Sequence, residues 1–229
     1  MFQSRASNPD SAGLSRAAAR LKAAHGTETL LIQLDVRERT AVAEKLGKLP
    51  AKWAAVDILV NNAGLSRGLN PLHEGLIDDW DEMVDTNVKG LLYVTRAILP
   101  GMVERQRGHV VHIGSVAGRD PYAGGAVYCG SKAAVAIISR AMKIDVLEHG
   151  IRVTNIEPGL VETEFSLVRF HGDAERAKKP YQGLQPLTAE DVADAILWAV
   201  TRPPHVNVQE VLLLATAQAT ATTTHRKTS

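Results

Sequence analysis

Three residue types that together can move a proton lie in one Gly-rich stretch, "GSVAGRDPYAGGAVYCGSK", which runs from Gly114 to Lys132. Tyr128 and Lys132 are four residues apart, a spacing that places two side chains on one face of a helix. A phenol with an ordinary pKa of about 10 is a poor base at neutral pH, but a nearby ammonium favours the phenolate. Ser115 could hold a substrate oxygen by a hydrogen bond while Tyr128 exchanges its proton. The stretch therefore suggests interconversion of an alcohol and a carbonyl.

A simpler reading of the same stretch stays open. Gly-rich runs that contain Ser and Tyr are usually turns between a strand and a helix, and an exposed helix can carry Tyr and Lys at this spacing by chance. Three further features favour the chemical reading. They are "NNAG" at Asn61–Gly64, a Pro-Gly turn at Pro158, and Asn87 on an apolar helical stripe. For Asn87 alone, the ordinary interpretation is a core side chain that is hydrogen-bonded to backbone.

The elements that must position these residues form an alternating pattern. From Thr29 onward, short apolar runs alternate with helical patterns, which predicts an α/β fold: a Rossmann-like, doubly wound parallel sheet in a single domain. The predicted strands are "TLLIQLDV", "VDILVNNAG", "GHVVHIGS", "GIRVTNIEPG" and "EVLLLA". Ligands bind at the carboxyl ends of strands in such sheets, so we expect the polar residues there to share one rim.

Two long helices and one shorter helix are predicted from periodicity and caps. The first has an apolar stripe at helical spacing, made of Trp80, Met83, Val84, Val88, Leu91, Leu92 and Thr95. The second carries Ser131, Val135, Ile138 and Met142 on one face and ends before Gly150. "TAED" at Thr188 predicts a capping box that opens a last helix through Val200. Residues 215–229 are of low complexity, and we expect a loose tail after a domain that spans residues 1–214.

Composition excludes several classes of partner. The chain has 229 residues, 45% hydrophobic residues and a net charge of +1, which gives no electrostatic footprint for nucleic acid. Cys129 is the only cysteine, so no internal disulfide is possible. No apolar run reaches the roughly 18 residues of a membrane span, and the first residues lack the apolar segment of a signal peptide. We expect a soluble, cytoplasmic protein with a small-molecule substrate, no bound metal and no membrane partner.

These motifs together resemble the short-chain dehydrogenase/reductase family. Its Asn-Ser-Tyr-Lys tetrad falls on Asn87, Ser115, Tyr128 and Lys132. The resemblance implies that Tyr128 is the general acid/base and that Lys132 lowers its pKa and holds the nicotinamide ribose. It also implies that Ser115 orients the substrate and that Asn87 supports a proton-relay water. The cofactor contacts that it implies are Asp35, Val36, Asn62, Ala63, Gly64, Tyr128, Lys132, Pro158, Gly159, Val161 and Thr163.

Four segments are most similar to the family members that oxidise short 3-hydroxy acids, such as serine or 3-hydroxyisobutyrate, with NADP. The segments are "GRDPY", "VYCGSK", "PGLVETEFSLVRFHGD" and "QPLTAEDVADAI". In the third, Arg169 could pair with a substrate carboxylate, although an arginine that faces water is an equally open interpretation. Family resemblance also implies a homo-oligomer, a dimer or tetramer, built on the two long helices. Apolar residues for that contact are Ala97, Ile98, Ala136 and Ile137.

The start of the chain departs from the family pattern. Family members open with a strand and the turn T-G-x-x-x-G-x-G, whose backbone N–H groups hold a pyrophosphate. Here the segment Asn8–His25 is better interpreted as a helix, "FQSR" as the end of a strand, and Arg5 as a possible contact for a 2′-phosphate. We therefore expect an N-terminally truncated sheet in which "TLLIQL" lacks a neighbour and "DILV" forms an open edge. We therefore also expect weaker NADP binding than in a full-length relative. The alternative function is that of a catalytically impaired or non-catalytic truncated homologue that acts as an assembly partner.

Overall fold

A computed structural model describes residues 11–227 of the chain. The helices are α1 (Ser11–His25), α2 (Arg39–Gly47), α3 (Ala51–Ala54), α4 (Ile77–Val84), α5 (Leu91–Glu104), α6 (Ala126–Asp145), α7 (Phe165–Arg169), α8 (Ala174–Lys178) and α9 (Ala189–Val200). The strands are β1 (Ile58–Asn61), β2 (His109–Ile113), β3 (Arg152–Pro158) and β4 (Glu210–Leu213). Single 3₁₀ turns cover Leu72–Glu74, Val116–Gly118, Leu147–His149 and Lys179–Tyr181, and a π-helical segment covers Asp85–Gly90. Within these residues no helix is long and apolar enough to cross a membrane.

The four strands form one parallel sheet in the order β1-β2-β3-β4. His112 of β2 is the register partner of Asn155 and contacts Ser139 of α6. Arg152, three residues before Asn155, donates instead to the carbonyl of Val200 at the end of α9. Because side chains alternate along a strand, α6 and α9 cover opposite faces of the sheet. The predicted doubly wound α/β class is confirmed.

The two central strands of the sheet are deeply buried. Val110, Val111 and Ile156 of β2 and β3 are fully buried, as expected for parallel strands that are covered on both faces. One core cluster joins these strands to α2, α5 and α6 through Val42, Met102 and other apolar side chains. Burial of this apolar surface holds the carboxyl ends of β1, β2 and β3 in fixed positions.

The segment predicted as the first strand, "TLLIQL", does not form one. Residues 29–36 alternate in burial, with Leu34 and Val36 inward and Leu31 exposed, yet they are in no strand ladder. A β-strand needs a neighbouring strand for its backbone hydrogen bonds, and no strand among residues 11–227 pairs with this segment. β1 is an edge strand of the sheet that residues 11–227 form, and its Ile58 and Val60 are partly exposed. The open edge predicted at "DILV" is therefore confirmed for this sheet.

The interpretation of the early segment as a helix is confirmed from Ser11 to His25. The remaining expectations for the start of the chain, that "FQSR" ends a strand and that Arg5 contacts a phosphate, lie outside the described residues. The last helix begins as predicted, because Thr188 and Asp191 form a reciprocal capping box. Gly150 ends the turn that follows α6.

The first long helix contains a π-helical segment that periodicity did not indicate. Its ends are the α-helices α4 and α5, and Asn87 lies in the π-helical part. π-helical turns are rare and occur often at functional sites. Gly90 closes this segment where a Cβ atom would lie 2.6 Å from Val36 Cγ2, so the absence of a side chain lets the Asp35–Val36 loop approach the helix.

The tail differs from the loose end that its composition predicted. Ala215 and Gln218 are buried, and the Gln218 carboxamide oxygen accepts a 2.8 Å hydrogen bond from Leu160 N. Arg226 donates to the carbonyl of Pro180, at 3.0 Å. Polar side chains therefore hold the tail on the segment that follows β3, an interaction that a low apolar content does not exclude.

Part of the predicted contact surface for a partner copy belongs to the monomer core. Ile98 and Ala136 are each 7% exposed, whereas Ile137 is 60% exposed. The stripe predicted for the first long helix is also buried only in part, because Leu91 is 5% exposed but Leu92 is 42% exposed.

Candidate active site

Ser115, Tyr128 and Lys132 meet at the carboxyl end of β2. Ser115 caps the 3₁₀ turn Val116–Gly118 by accepting a 3.1 Å hydrogen bond from Ala117 N, and it also hydrogen-bonds with Tyr128. Tyr128 and Lys132 lie one turn apart on α6, as predicted, with Lys132 Nζ 6.0 Å from the centre of the Tyr128 ring. All three side chains are buried. A proton donor, a hydroxyl and an ammonium therefore share one small space.

Burial sets the protonation of this group. Desolvation raises the pKa of Tyr128 to about 12, although the hydrogen bond from Ser115 and the charge of Arg169 act in the opposite direction. Desolvation also lowers the pKa of Lys132 to about 8. The role of Lys132 in lowering the pKa of Tyr128 stays a prediction. Lys132 Nζ donates to the carbonyl of Ile113 at 2.8 Å, so its ammonium points at backbone rather than at the phenol.

Asn87 acts as a clamp between three elements. Its Oδ1 accepts from Leu65 N at 2.9 Å, and its Nδ2 donates to Leu65 O at 2.8 Å and to Ser131 Oγ at 3.0 Å. The carboxamide thereby joins the loop after β1, the π-helical segment and α6. Both N–H groups of the carboxamide are used in this way. The ordinary interpretation of a satisfied core Asn therefore describes its side chain.

The loop after β1 and Lys132 fit the nicotinamide end of a dinucleotide. Gly64 ends the loop after β1 where a Cβ atom would lie 3.2 Å from Lys132 Nζ and 3.3 Å from Asn87 Oδ1. The absence of a side chain at Gly64 thus lets the backbone pass close to the lysine, while Ala63 is half-buried and Asn62 is exposed beside it. Lys132 uses one of its three N–H donors on Ile113, which leaves donors for ribose hydroxyls.

The predicted adenine contacts lie on the far side of the π-helical segment. Val36 is buried, and Asp35 accepts hydrogen bonds from the backbone and side chain of Arg37. This pairing lowers the pKa of Asp35 against the opposing effect of burial. Arg37 also contacts Glu82 of α4, which pairs with Arg67 at 2.6 Å. The loop therefore presents a carboxylate in a fixed position.

The predicted contacts after β3 are spread over a turn. Pro158 is the buried last residue of β3, and Gly159 N donates to Leu213 O of β4. Val161 O accepts from the Tyr181 hydroxyl at 3.0 Å. Thr163 is exposed and accepts from Phe165 N, so it opens α7. This region contacts the tetrad at Tyr128, because the centroids of the Phe165 and Tyr128 rings are 5.7 Å apart.

Arg169, at the end of α7, points into the site instead of into water. Its guanidinium carbon lies 5.2 Å from the centre of the Tyr128 ring, 5.7 Å from that of Tyr122 and 5.4 Å from that of Phe165. Nε donates to Ser66 Oγ at 3.0 Å, and Nη2 donates to the Tyr122 hydroxyl at 2.6 Å. Within residues 11–227 no carboxylate lies within 4.0 Å of this guanidinium.

Sequence reasoning missed Ser66, Tyr122 and Ser131. Ser66 and Arg169 are 103 positions apart, so no local spacing could indicate their contact. Tyr122 lies in the Gly-rich stretch itself, where a second phenol six positions before Tyr128 was a visible signal. Ser131, which precedes Lys132, was interpreted only as part of an apolar helix face.

Comparison with known proteins identifies the family of the chain. The family model for short chain dehydrogenases matches residues 5–172. The NADP-dependent 3-hydroxy acid dehydrogenase of Salmonella typhi is 52% identical over 202 residues, which are 88% of this chain and 82% of that protein. A probable NADP-dependent dehydrogenase of Haemophilus influenzae is 46% identical over 213 residues, 91% of this chain and 84% of that one. A solved structure, the closed form of serine dehydrogenase complexed with NADP+, superposes with a TM-score of 0.85 at 49% identity and covers 93% of this chain and 86% of that one.

Proposed function

The chain belongs to the short-chain dehydrogenase family of oxidoreductases, and we propose that it transfers a hydride between NADP and a short 3-hydroxy acid such as serine or 3-hydroxyisobutyrate. When bound, NADP supplies or accepts the hydride. The remaining steps fall to residues of this chain. They must hold the substrate by its carboxylate, align its hydroxyl and move one proton.

Arg169 is the observation that carries the choice of substrate. A guanidinium that is partly desolvated among three aromatic rings, with no carboxylate near it in residues 11–227, lacks the counter-charge that buried cations normally have. A substrate carboxylate would supply that charge in a bidentate pair. Because Arg169 lies against Tyr128, an acid bound there holds its hydroxyl close to the phenol.

Tyr128 is the proposed general acid/base. With a pKa of about 12, its phenol is protonated at neutral pH and is ready to donate to a carbonyl oxygen in the reductive direction. In the oxidative direction it must accept a proton, and both the Ser115 hydrogen bond and the charge of Arg169 favour the phenolate. Ser115 orients the substrate oxygen. The chemistry therefore needs no metal ion in its proton step.

The proposed cofactor contacts are those that the family resemblance implies. Lys132 holds the nicotinamide ribose, with Gly64 leaving room beside it, and Asp35 holds the adenosine end. Asn87 contributes through the clamp that fixes the cleft rather than through a free side chain. The other contacts in the proposal are Val36, Asn62, Ala63, Pro158, Gly159, Val161 and Thr163. With its single cysteine, the chain suits the cytoplasm, which is part of the proposal.

Initial rates with matched substrates test the proposal. 3-Hydroxyisobutyrate should be oxidised with NADP in preference to 2-methyl-1,3-propanediol, which replaces the carboxylate by a hydroxymethyl group, and serine in preference to serinol. Arg169→Leu should reduce this preference at least about tenfold, the effect of one lost ion pair in a desolvated site. Turnover only of bulky alcohols would contradict the proposed substrate.

Titration of the purified chain with NADP tests the remaining part of the proposal. Binding by the wild-type chain and loss of binding in Lys132→Met support the enzyme. A chain that binds no dinucleotide would favour the non-catalytic assembly partner.

A further inference from the structure

We propose that Tyr122 and Ser66 are positioning residues that aim one edge of the Arg169 guanidinium at the substrate carboxylate. They thereby determine selectivity for acids over neutral alcohols. The inference rests on the proposed function, because it assigns these two residues to the recognition of the substrate that the function requires. The observation that carries it is the pattern of hydrogen bonds on the guanidinium.

The guanidinium has five N–H donors in a rigid plane. Nε–H is used on Ser66 Oγ, and one N–H of Nη2 is used on the Tyr122 hydroxyl. Among residues 11–227, the second N–H of Nη2 and both N–H groups of Nη1 have no protein acceptor. The two N–H groups of Nη1 lie away from the edge of the fork that includes Nε, which Ser66 occupies. A carboxylate can therefore approach the guanidinium through Nη1, but the edge that includes Nε is closed to it.

The backbone of Arg169 is fixed by separate contacts. Gly68 N donates to Arg169 O at 3.0 Å, and Arg67, held by Glu82, donates to the carbonyl of Val168. These bonds attach α7 to the loop after β1 without using Tyr122. Removing the Tyr122 hydroxyl should therefore leave α7 in place and release only the side chain of Arg169.

Tyr122 is well placed for such a role. Its ring packs in the same apolar cluster as Tyr128, and its carbonyl accepts from Gly125 N just before α6 begins. The catalytic phenol and the phenol that holds Arg169 thus share one rigid support. An arginine side chain has several rotatable bonds, so the hydrogen bond that Arg169 donates to Tyr122 limits the orientations of the guanidinium before substrate binds.

The experiment compares Tyr122→Phe with the wild-type chain on 3-hydroxyisobutyrate and 2-methyl-1,3-propanediol at saturating NADP. The inference expects the acid-to-diol ratio of kcat/KM to fall about tenfold, chiefly through a higher KM for the acid. Tyr181→Phe is the matched control. It removes another phenol that hydrogen-bonds to α7, through Ser166 Oγ at 2.7 Å, but does not contact Arg169. Its ratio should equal that of the wild type.

Other outcomes would overturn the inference or the proposed function. An unchanged ratio in Tyr122→Phe, or an equal loss for acid and diol, overturns the inference even when the wild-type chain prefers acids. An equal fall of the ratio in Tyr181→Phe also overturns it, because general loosening of α7 would then explain the effect. A wild-type chain without preference for acids overturns the proposed function first. If Tyr122→Phe does not fold by circular dichroism, Ser66→Ala, which removes the other fixed bond of Arg169, is read in the same way.

Discussion

At the scale of single residues, the site places one phenol between two cations that differ in their surroundings. Lys132 is bonded to backbone, and its pKa is lowered to about 8 by burial. Arg169 lies against the other side of the site, with its guanidinium carbon 5.2 Å from the centre of the Tyr128 ring. The lysine is the cation whose protonation can change near neutral pH.

Replacement of Tyr128 by Phe should abolish hydride transfer and leave the fold intact. The ring keeps its packing against Phe165 and only the hydroxyl is lost. Loss of general acid/base catalysis costs about 10²–10⁴-fold in rate. Steady-state kcat and thermal unfolding of the same sample check the two parts. More than a few per cent of wild-type kcat would reject Tyr128 as the acid/base.

Ser131→Ala should destabilise the chain by about 1–3 kcal/mol, because it leaves a buried N–H of Asn87 without an acceptor. The free energy of unfolding in urea measures this change. Thr201→Ala is a suitable control, since that hydroxyl is exposed: it donates to the carbonyls of Leu197 and Trp198 and accepts from the side chain of Arg202. Equal losses in the two variants would show that Ser131 contributes only its local helix contact.

At the scale of elements, strand β2 combines apolar burial with two fully buried histidines. His109 pairs with Thr154 Oγ1 at 2.8 Å, and His112 pairs with Ser139 Oγ at 2.7 Å. Burial lowers the pKa of each histidine to about 4, with further lowering from Arg152 and Lys132 respectively. The folded strand therefore favours the neutral form of both rings.

Stability should fall as pH decreases from about 6.5 to about 4. In this window an unfolded histidine, with its ordinary pKa of about 6.5, binds a proton that the folded ring does not bind. Stability rises with pH wherever the unfolded state holds more protons, so it is lost on acidification. His112→Gln should reduce the slope of Tm against pH in this window. His205→Gln, which changes an exposed histidine, should retain the wild-type slope.

Local patterns predicted some elements and not others, for physical reasons. The capping box at Thr188 and the apolar stripe of α6 are encoded within one helix each, and both are confirmed. The segment "TLLIQL" has strand propensity and alternating burial, but a strand also needs a partner, which a local pattern does not contain. Packing of the tail depends on Gln218 reaching Leu160, a contact between distant positions.

At the scale of the whole molecule, a row of apolar side chains lies outside the core. Ile137, Ile144 and Leu147 on and after α6 are 60%, 75% and 64% exposed. The proximity of Tyr128 and Lys132 could be predicted from their spacing on one helix, whereas the Ser66–Arg169 contact depends on how the whole chain folds. The exposed row could not be predicted from the sequence either, because it is defined by which residues of α6 are buried in the core.

We expect this row to contact a second copy of the chain. Closed twofold pairs bury equivalent faces, and an exposed helix face with three large apolar residues suits such a pair. Light scattering should give the mass of a dimer or tetramer for the wild-type chain, and Ile137→Lys combined with Ile144→Lys should reduce it. Thr201→Lys, at an exposed polar site, should not. A folded wild-type monomer would disprove the expectation.

The π-helical segment Asp85–Gly90 has a consequence for insertions and deletions. Met83 packs beside Tyr128 in one cluster, whereas Met102 packs in the core cluster with Val110. In an uninterrupted helix of 3.6 residues per turn, these two side chains would point about 100° apart. The wider turn takes up one extra residue and lets both face inward. Deleting one residue between positions 85 and 90 would therefore rotate α5 against α4, so that the catalytic cluster and the main core could not both be packed. Chain length in this segment is as tightly constrained as residue type.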